Sequence, residues 1–309
     1  MLYGLEVEPL NDTGLYELEK AHRQHCKIVQ GLPQNISNPA SLATMGWLTI
    51  SGYIDIMKLC FMWRLLCMEK CNVFKRLMKC ILCNIFDNGV PIEKVLSPVV
   101  SMYRTSVKYG LDGILYRLIT TDQICNFNEM KTHIKQIIWR HEKDRWKASC
   151  LMYKELNYYN ISVSHIKTHP WWLFVKDEPI YFIKVAGVLS ILMGGQPSKY
   201  QRNFNSSMCK ICNAHASETV EHILFECKAL ETYRNKLWDD FASNLLDPMK
   251  HMILEMPHRD RAVFLLSCLN ESYIREWRYL YGSLADYIYK LYVHRALKYD
   301  ESYNDVEIT

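Results

Sequence analysis

The chain has 309 residues, 49% apolar and 23% charged, with a net charge of +4 and a pI near 8.3. That length suits one large domain or two ordinary ones, and the composition excludes a disordered or low-complexity protein. Mild basicity permits nucleic-acid binding without arguing for it, because local clustering of cations matters more than their sum.

Glycine (12) and proline (10) are scarce, and apolar residues recur with helical spacing throughout. The expectation is an all-α fold: a bundle-like helical body, a small zinc knuckle and C-terminal helices. Twelve cysteines would suit a secreted protein, but the opening MLYGLEVEPL lacks the basic flank and apolar stretch of a signal peptide. An intracellular protein, nuclear or cytoplasmic, is therefore expected, with reduced thiols serving metal or core roles. The most hydrophobic window, 53–68, carries Asp55, Lys58 and Arg64. Each charge near a bilayer centre costs about 2.5–3.5 kcal/mol, so neither a membrane span nor a membrane partner is expected.

In chain order, Asp12 can cap a helix running to about residue 30 and closed by Gly31, and Asn38-Pro39 opens a short helix ended by Gly46. Thr49 opens a nearly continuous apolar helix, the expected centre of a core. Another runs from Asn72 to Phe86 and carries a second CxxC, Cys80 and Cys83. No turn residues fold that pair around an ion, so both are assigned to the core. Ser97-Pro98 starts a helix that Gly110 ends.

The helix expected over 128–157 turns Ile134, Ile138, Trp146 and Leu151 inward, while Lys135, Arg140 and Lys143 stand among the basic residues on the rest of its surface. Such a face is either simply solvated or a contact for phosphates. Asp177 is expected to cap an apolar helix through Met193. Gly194-Gly195, followed by Pro197, is the clearest break. It divides a helical domain, 1–195, from a zinc-binding module, 196–245, and from C-terminal helices with a loose tail, 246–309. Lys199, Arg202 and Lys210 form a basic approach to that module. The tyrosine-rich final helices, with arginines interleaved, suit either nucleic acid or packing on the body.

The module centres on 209–227, CKICNAHASETVEHILFEC. Cys209 and Cys212, with two residues between them, can present both sulfurs from one tight turn, and His222 and Cys227 on the following helix can complete a tetrahedron for zinc. Ser217 occupies the N-cap position, and Glu218 and Glu221 fall in the first turn, where the helix dipole favours acids. His222 and Cys227 are five residues apart, about 140° out of phase on an ideal helix, so Cys227 must lie where the helix ends. His215 is a rival ligand but sits cramped inside the loop. The plain alternative is a capped loop with unrelated cysteines. Three sulfurs and one nitrogen leave no open coordination position, so the zinc would be structural and not catalytic.

Together these residues resemble the C-terminal part of the endonuclease–reverse transcriptase of LINE-type (non-LTR) retrotransposons. Cys209-x2-Cys212 with Glu218-Thr219 before His222 and an aromatic before Cys227 resembles that family's reverse transcriptase zinc-binding motif. Tyr3-Gly4-Leu5-Glu6, Leu18-Glu19 with His22-Arg23, Gly31-Leu32-Pro33 and Gly46-Trp47 are similar to its segments past the polymerase palm. The segment 186–194 stands where the family has a basic residue that is absent here. The likeness covers roughly 2–245. It implies a thumb and connector region with a zinc knuckle that binds DNA or RNA without sequence preference, and no small-molecule substrate.

The family's paired catalytic aspartates find no counterpart on a hairpin. Asp239-Asp240, the one adjacent aspartate pair, falls on an expected helix and reads as solvated. The expectation is therefore a non-enzymatic, zinc-containing nucleic-acid-binding remnant, a truncated or co-opted copy. The alternative is a helical protein-interaction or relic protein whose zinc only holds the fold.

Overall fold

A computed structural model describes residues 4–7, 11–88, 97–121, 126–153, 156, 158–159, 168–194, 208–209, 211–212, 216–267 and 274–304, with side chains of the last helix described over 280–298. The protein is all-α. Among the described residues there are no strands, only isolated bridges between Met45 and Thr168 and between Met208 and Ser217. The chain packs as two compact units, one of 1–22 with 48–146 and the other of 23–47 with 147–309. Residues 147–195, the cysteine-rich stretch and the C-terminal helices thus fall in one unit.

The first unit is built on α3 (Ile50–Leu66), α4 (Val73–Asn88), α5 (Pro98–Lys108), α6 (Asp112–Thr121) and much of α7 (Phe127–Leu151). Thr49 caps α3 by accepting the Gly52 N–H at 3.1 Å. Leu59, Met62, Trp63 and Leu66 of α3 form one core with Leu82, Val100, Leu115, Ile134 and Ile138. Two of the three charges that argue against a membrane span are hydrogen-bonded there, while Arg64 is exposed. Asp55, 8% exposed, accepts from Lys108 Nζ at 2.7 Å and Tyr109 Oη at 2.8 Å. Lys58 Nζ donates to Ser101 Oγ at 3.0 Å. No helix among the described residues is long and apolar enough to cross a membrane.

Several expectations change here. The helix α7 stops at Leu151, and that leucine is 77% exposed instead of buried. Cys80 and Cys83 are exposed and not in the core, because Met78, Leu82 and Ile85 take the inward positions of α4. The helix α6 follows the Gly110 turn directly, with Asp112 in its first turn.

The helix α1 (Asp12–Val29), of which 23–29 belong to the second unit, is followed by Gly31, which has φ +62°. A Cβ there would lie 3.2 Å from the Phe182 ring, so glycine is needed for conformation and for space. Buried Gln30 then binds α2 (Asn38–Thr44) to α8 (Pro170–Asp177). Its oxygen accepts from Thr44 Oγ1 at 2.7 Å and Trp172 Nε1 at 2.9 Å, while its amide donates to Ser41 O at 2.8 Å.

After a 3-10 turn at Pro179–Tyr181 come α9 (Phe182–Leu192), α10 (Glu231–Ala242), α11 (Asp247–Glu255), α12 (His258–Ser267) and α13 (Ile274–Asn304). Asp177 is the last residue of α8, which His169 caps, and it does not cap α9, whose N-cap residue Tyr181 makes no side-chain capping hydrogen bond. Pro248 lies in the first turn of α11, where a missing N–H costs nothing. Tyr281, Tyr287 and Tyr292 of α13 are buried, which identifies their stripe as packing.

The helix α9 meets α13 closely because a Cβ on Gly187 would lie 2.9 Å from the Tyr289 ring. Overpacking of this kind costs about 1–3 kcal/mol, set against about 1 kcal/mol gained in helix propensity. Gly187→Ala is expected to lower stability by about 1 kcal/mol in chemical denaturation. The same change in a Tyr289→Ala background should be neutral or stabilising, which a double-mutant cycle would measure.

The buried thiols also predict alkaline weakness. Burial pushes the Cys26 thiol up to about 11 and Cys150 up to about 12. Above the ordinary thiol value of 9.0, the unfolded chain loses these protons while the folded chain keeps them. Stability must then fall as pH rises from about 9 to 11, by on the order of 1–2 kcal/mol per group. Denaturant midpoints measured over that range should decline, and less so in Cys26→Ala once its lower starting stability is subtracted.

Candidate metal centre

Met208 and Ser217 pair across an antiparallel bridge, and the Cys209 N–H donates to Ala216 O at 2.8 Å. This closes the Cys209–Cys212 turn onto the segment entering the helix. That helix is capped by Thr219, whose hydroxyl accepts the His222 N–H at 3.1 Å, and not by Ser217, which the bridge holds. From His222 to Glu226 the backbone forms a π turn, and the Cys227 N–H reaches His222 O at 2.7 Å. A π turn takes nearly one residue more than the α-helix's ~3.6, so residues five apart come close to one face. Cys227 then leaves the helix with φ −59° and ψ 113°.

The result brings together the four residues singled out from spacing. One ligand atom each from Cys209, Cys212, His222 and Cys227 lies within 4.8 Å of the other three, and all four residues are buried. Cys212 Sγ is 3.4 Å from His222 Nε2. Tetrahedral zinc with Zn–S bonds of ~2.3 Å places sulfurs about 3.8 Å apart, so small side-chain shifts complete such a sphere. The donor set fits a thiophilic cation. Burial, followed by the neighbouring Cys209 and Cys212 thiols, pushes Cys227 up to about 12. A cation is what makes several thiolates tolerable in one buried place.

Surrounding residues that spacing did not reveal hold the cluster. Carbonyls at the end of the π turn find donors: Tyr287 Oη reaches Leu224 O at 3.2 Å and Arg234 Nη1 reaches Cys227 O at 3.0 Å. Glu218 forms a buried ion pair with Arg295 of α13, and Glu221 accepts from the Tyr158 hydroxyl. Burial, then that carboxylate, raises the Tyr158 hydroxyl well above its usual range. The two acids therefore dock the helix, a role beyond complementing its dipole. His222 Nδ1 lies 3.7 Å from Glu226 Oε2, whose other oxygen meets His258 Nδ1 at 2.9 Å. The sequence signal for Glu226 was its place four residues after His222.

Of the other predicted site residues, Lys135 and Arg140 are exposed on α7 and Lys143 is half-buried there. Lys199, Arg202, Lys210 and the rival ligand His215 lie outside the described residues. Asp239 and Asp240 are exposed on α10. No family model, curated protein or solved structure matches the chain.

Cys212→Ser is expected to abolish metal uptake, measured as metal per monomer after desalting, because the remaining donors no longer close a sphere. Binding releases thiol protons, so affinity should fall as pH falls, with chelator competition giving weaker retention at pH 6 than at pH 8. Full occupancy in Cys212→Ser would remove this assignment.

Proposed function

We propose that the chain is a non-catalytic nucleic-acid-binding module stabilised by one structural zinc, derived from a LINE-type reverse transcriptase. The closed sphere carries the reading: four buried protein donors and no place for a reacting water. Zinc suits three thiolates and an imidazole better than hard cations do. When bound, it supplies folding energy, on the order of 10 kcal/mol in isolated zinc peptides. The protein's own residues then hold the knuckle against α10 and α13.

For the partner, the support is a convergence of cations from two helices. Burial raises the half-buried Cys60 thiol, while Lys131, Lys135 and Arg64 each act to lower it, so these three charges gather about one point of α3 and α7. Lys135 is exposed there, Arg140 is exposed further along α7, and phosphates are the ligands that such a surface attracts without reading sequence.

Binding to short single- and double-stranded DNA and RNA is expected at low salt, weakening by about 0.7–0.9 log units per phosphate contact per log unit of salt. Lys135→Glu with Arg140→Glu should weaken all probes alike and reduce that slope by about two contacts, as fluorescence anisotropy would measure. One observation favours a second reading. Val73, Phe74 and Leu77 of α4 are 72%, 65% and 57% exposed, an apolar stripe of the kind that protein partners cover. If no probe binds at low salt, that protein-interaction reading replaces the first.

A further inference from the structure

The imidazole of His222 is 3% exposed and has unequal sides. Nε2 faces Cys212 Sγ at 3.4 Å, which makes it the metal-facing nitrogen. Nδ1 is buried with no hydrogen-bond partner. A neutral imidazole that gives Nε2 to a metal carries its proton on Nδ1. That buried N–H left without an acceptor costs about 1–3 kcal/mol. Among the described residues, the one carboxylate paired with it is Glu226, whose Oε2 stands 3.7 Å away. A side-chain adjustment of roughly 0.5–1 Å brings the two into hydrogen-bond range.

Glu226 is itself held from its far side. Its Oε1 meets His258 Nδ1 at 2.9 Å, at the first residue of α12. The neighbouring Phe225 ring lies 5.3 Å from the His258 ring, and Arg261, one turn along α12, sits over it at 5.1 Å. The start of α12 thus grips the last two residues of the π turn. Its other face is buried through Ala262, Val263, Leu265 and Leu266, and Leu266 O accepts Trp171 Nε1 at 2.7 Å. A chain of contacts therefore runs from a buried metal ligand to a helix anchored in the core.

We propose that Glu226 is the positioning residue of the metal centre. Its carboxylate takes the Nδ1–H of His222 while His258 fixes the carboxylate, so the docking of α12 sets the orientation of a metal-ligating imidazole. This rests on the reading of Cys209, Cys212, His222 and Cys227 as a metal site. Hydrogen-bonding the far nitrogen fixes the ring and strengthens it as a donor, and loss of such a partner typically costs 10–100-fold in metal affinity.

The test uses the full chain loaded with zinc or cobalt(II), with Glu226→Ala, Glu226→Gln, His258→Ala and Cys212→Ser compared. Zinc affinity by chelator competition is expected to fall about 10–100-fold in Glu226→Ala. Glu226→Gln, whose amide oxygen still accepts, should recover part of the loss, and His258→Ala should show a smaller one. The cobalt ligand-field bands should shift in Glu226→Ala while thiolate charge-transfer intensity persists, since all three sulfurs remain. The thermal midpoint of the metal-free Glu226→Ala protein should match the wild type. Wild-type affinity in Glu226→Ala, with metal lost in Cys212→Ser, overturns the proposal and leaves the metal site standing. A lowered metal-free midpoint without a cobalt shift also overturns it, as a purely structural role would. Full metal retention in Cys212→Ser overturns the metal site and the proposal together.

Discussion

His222 and Cys227 stand five positions apart, and an α-helix cannot bring both to one point. The π turn at His222–Glu226 resolves that conflict, and much around the centre follows from it. A widened turn ends with carbonyls that no residue of the same helix can satisfy. Tyr287 and Arg234 satisfy two of them from α13 and α10. The geometry of the four donors is thereby tied to helices far along the chain, and the knuckle does not stand on its loop alone.

Charge placement reinforces the attachment. Glu218 and Arg295 are each 4% exposed, and two charges taken that far from water recover their desolvation cost only in good geometry. Such a pair adds little net stability, but it penalises any docking that separates the partners. The Tyr158–Glu221 contact acts alike. In the first unit, Asp55 and Glu142 are treated similarly. Glu142 is 5% exposed and accepts from Thr49 Oγ1 at 2.7 Å and Arg145 Nη2 at 2.9 Å. Asp55, Glu142, Glu218 and Glu221 each accept from a donor outside their own element, which favours a single packing arrangement.

Close approach completes the second unit. Gly31 and Gly187 admit the rings of Phe182 and Tyr289, which a Cβ would meet at 3.2 Å and 2.9 Å. Gln30, saturated by partners on α2 and α8, does with polar atoms what those glycines do with space. Its hydrogen bonds are satisfied only when both helices are seated, so it too favours one arrangement over its neighbours.

Local chemistry was legible in the sequence. Apolar spacing defined an all-α chain, Thr49, Gly31 and Gly110 marked real helix ends, and the ligand spacing singled out Cys209, Cys212, His222 and Cys227. These depend on neighbours within a few turns of backbone, and such neighbours are visible in order along the chain. Where competing inward faces had to be chosen, the sequence was silent. Cys80 and Cys83 look like core residues until Met78, Leu82 and Ile85 take the core side of α4. Leu151 looks buried until the helix stops beneath it. The cap at Thr219, the π turn, and the long-range partners of Glu218, Glu221 and Glu226 also required the tertiary structure. The partners of Glu218, Glu221 and Glu226 lie 77, 63 and 32 residues away along the chain, and the Thr219 cap goes with the bridge that holds Ser217, contacts of which order along the chain carries no record.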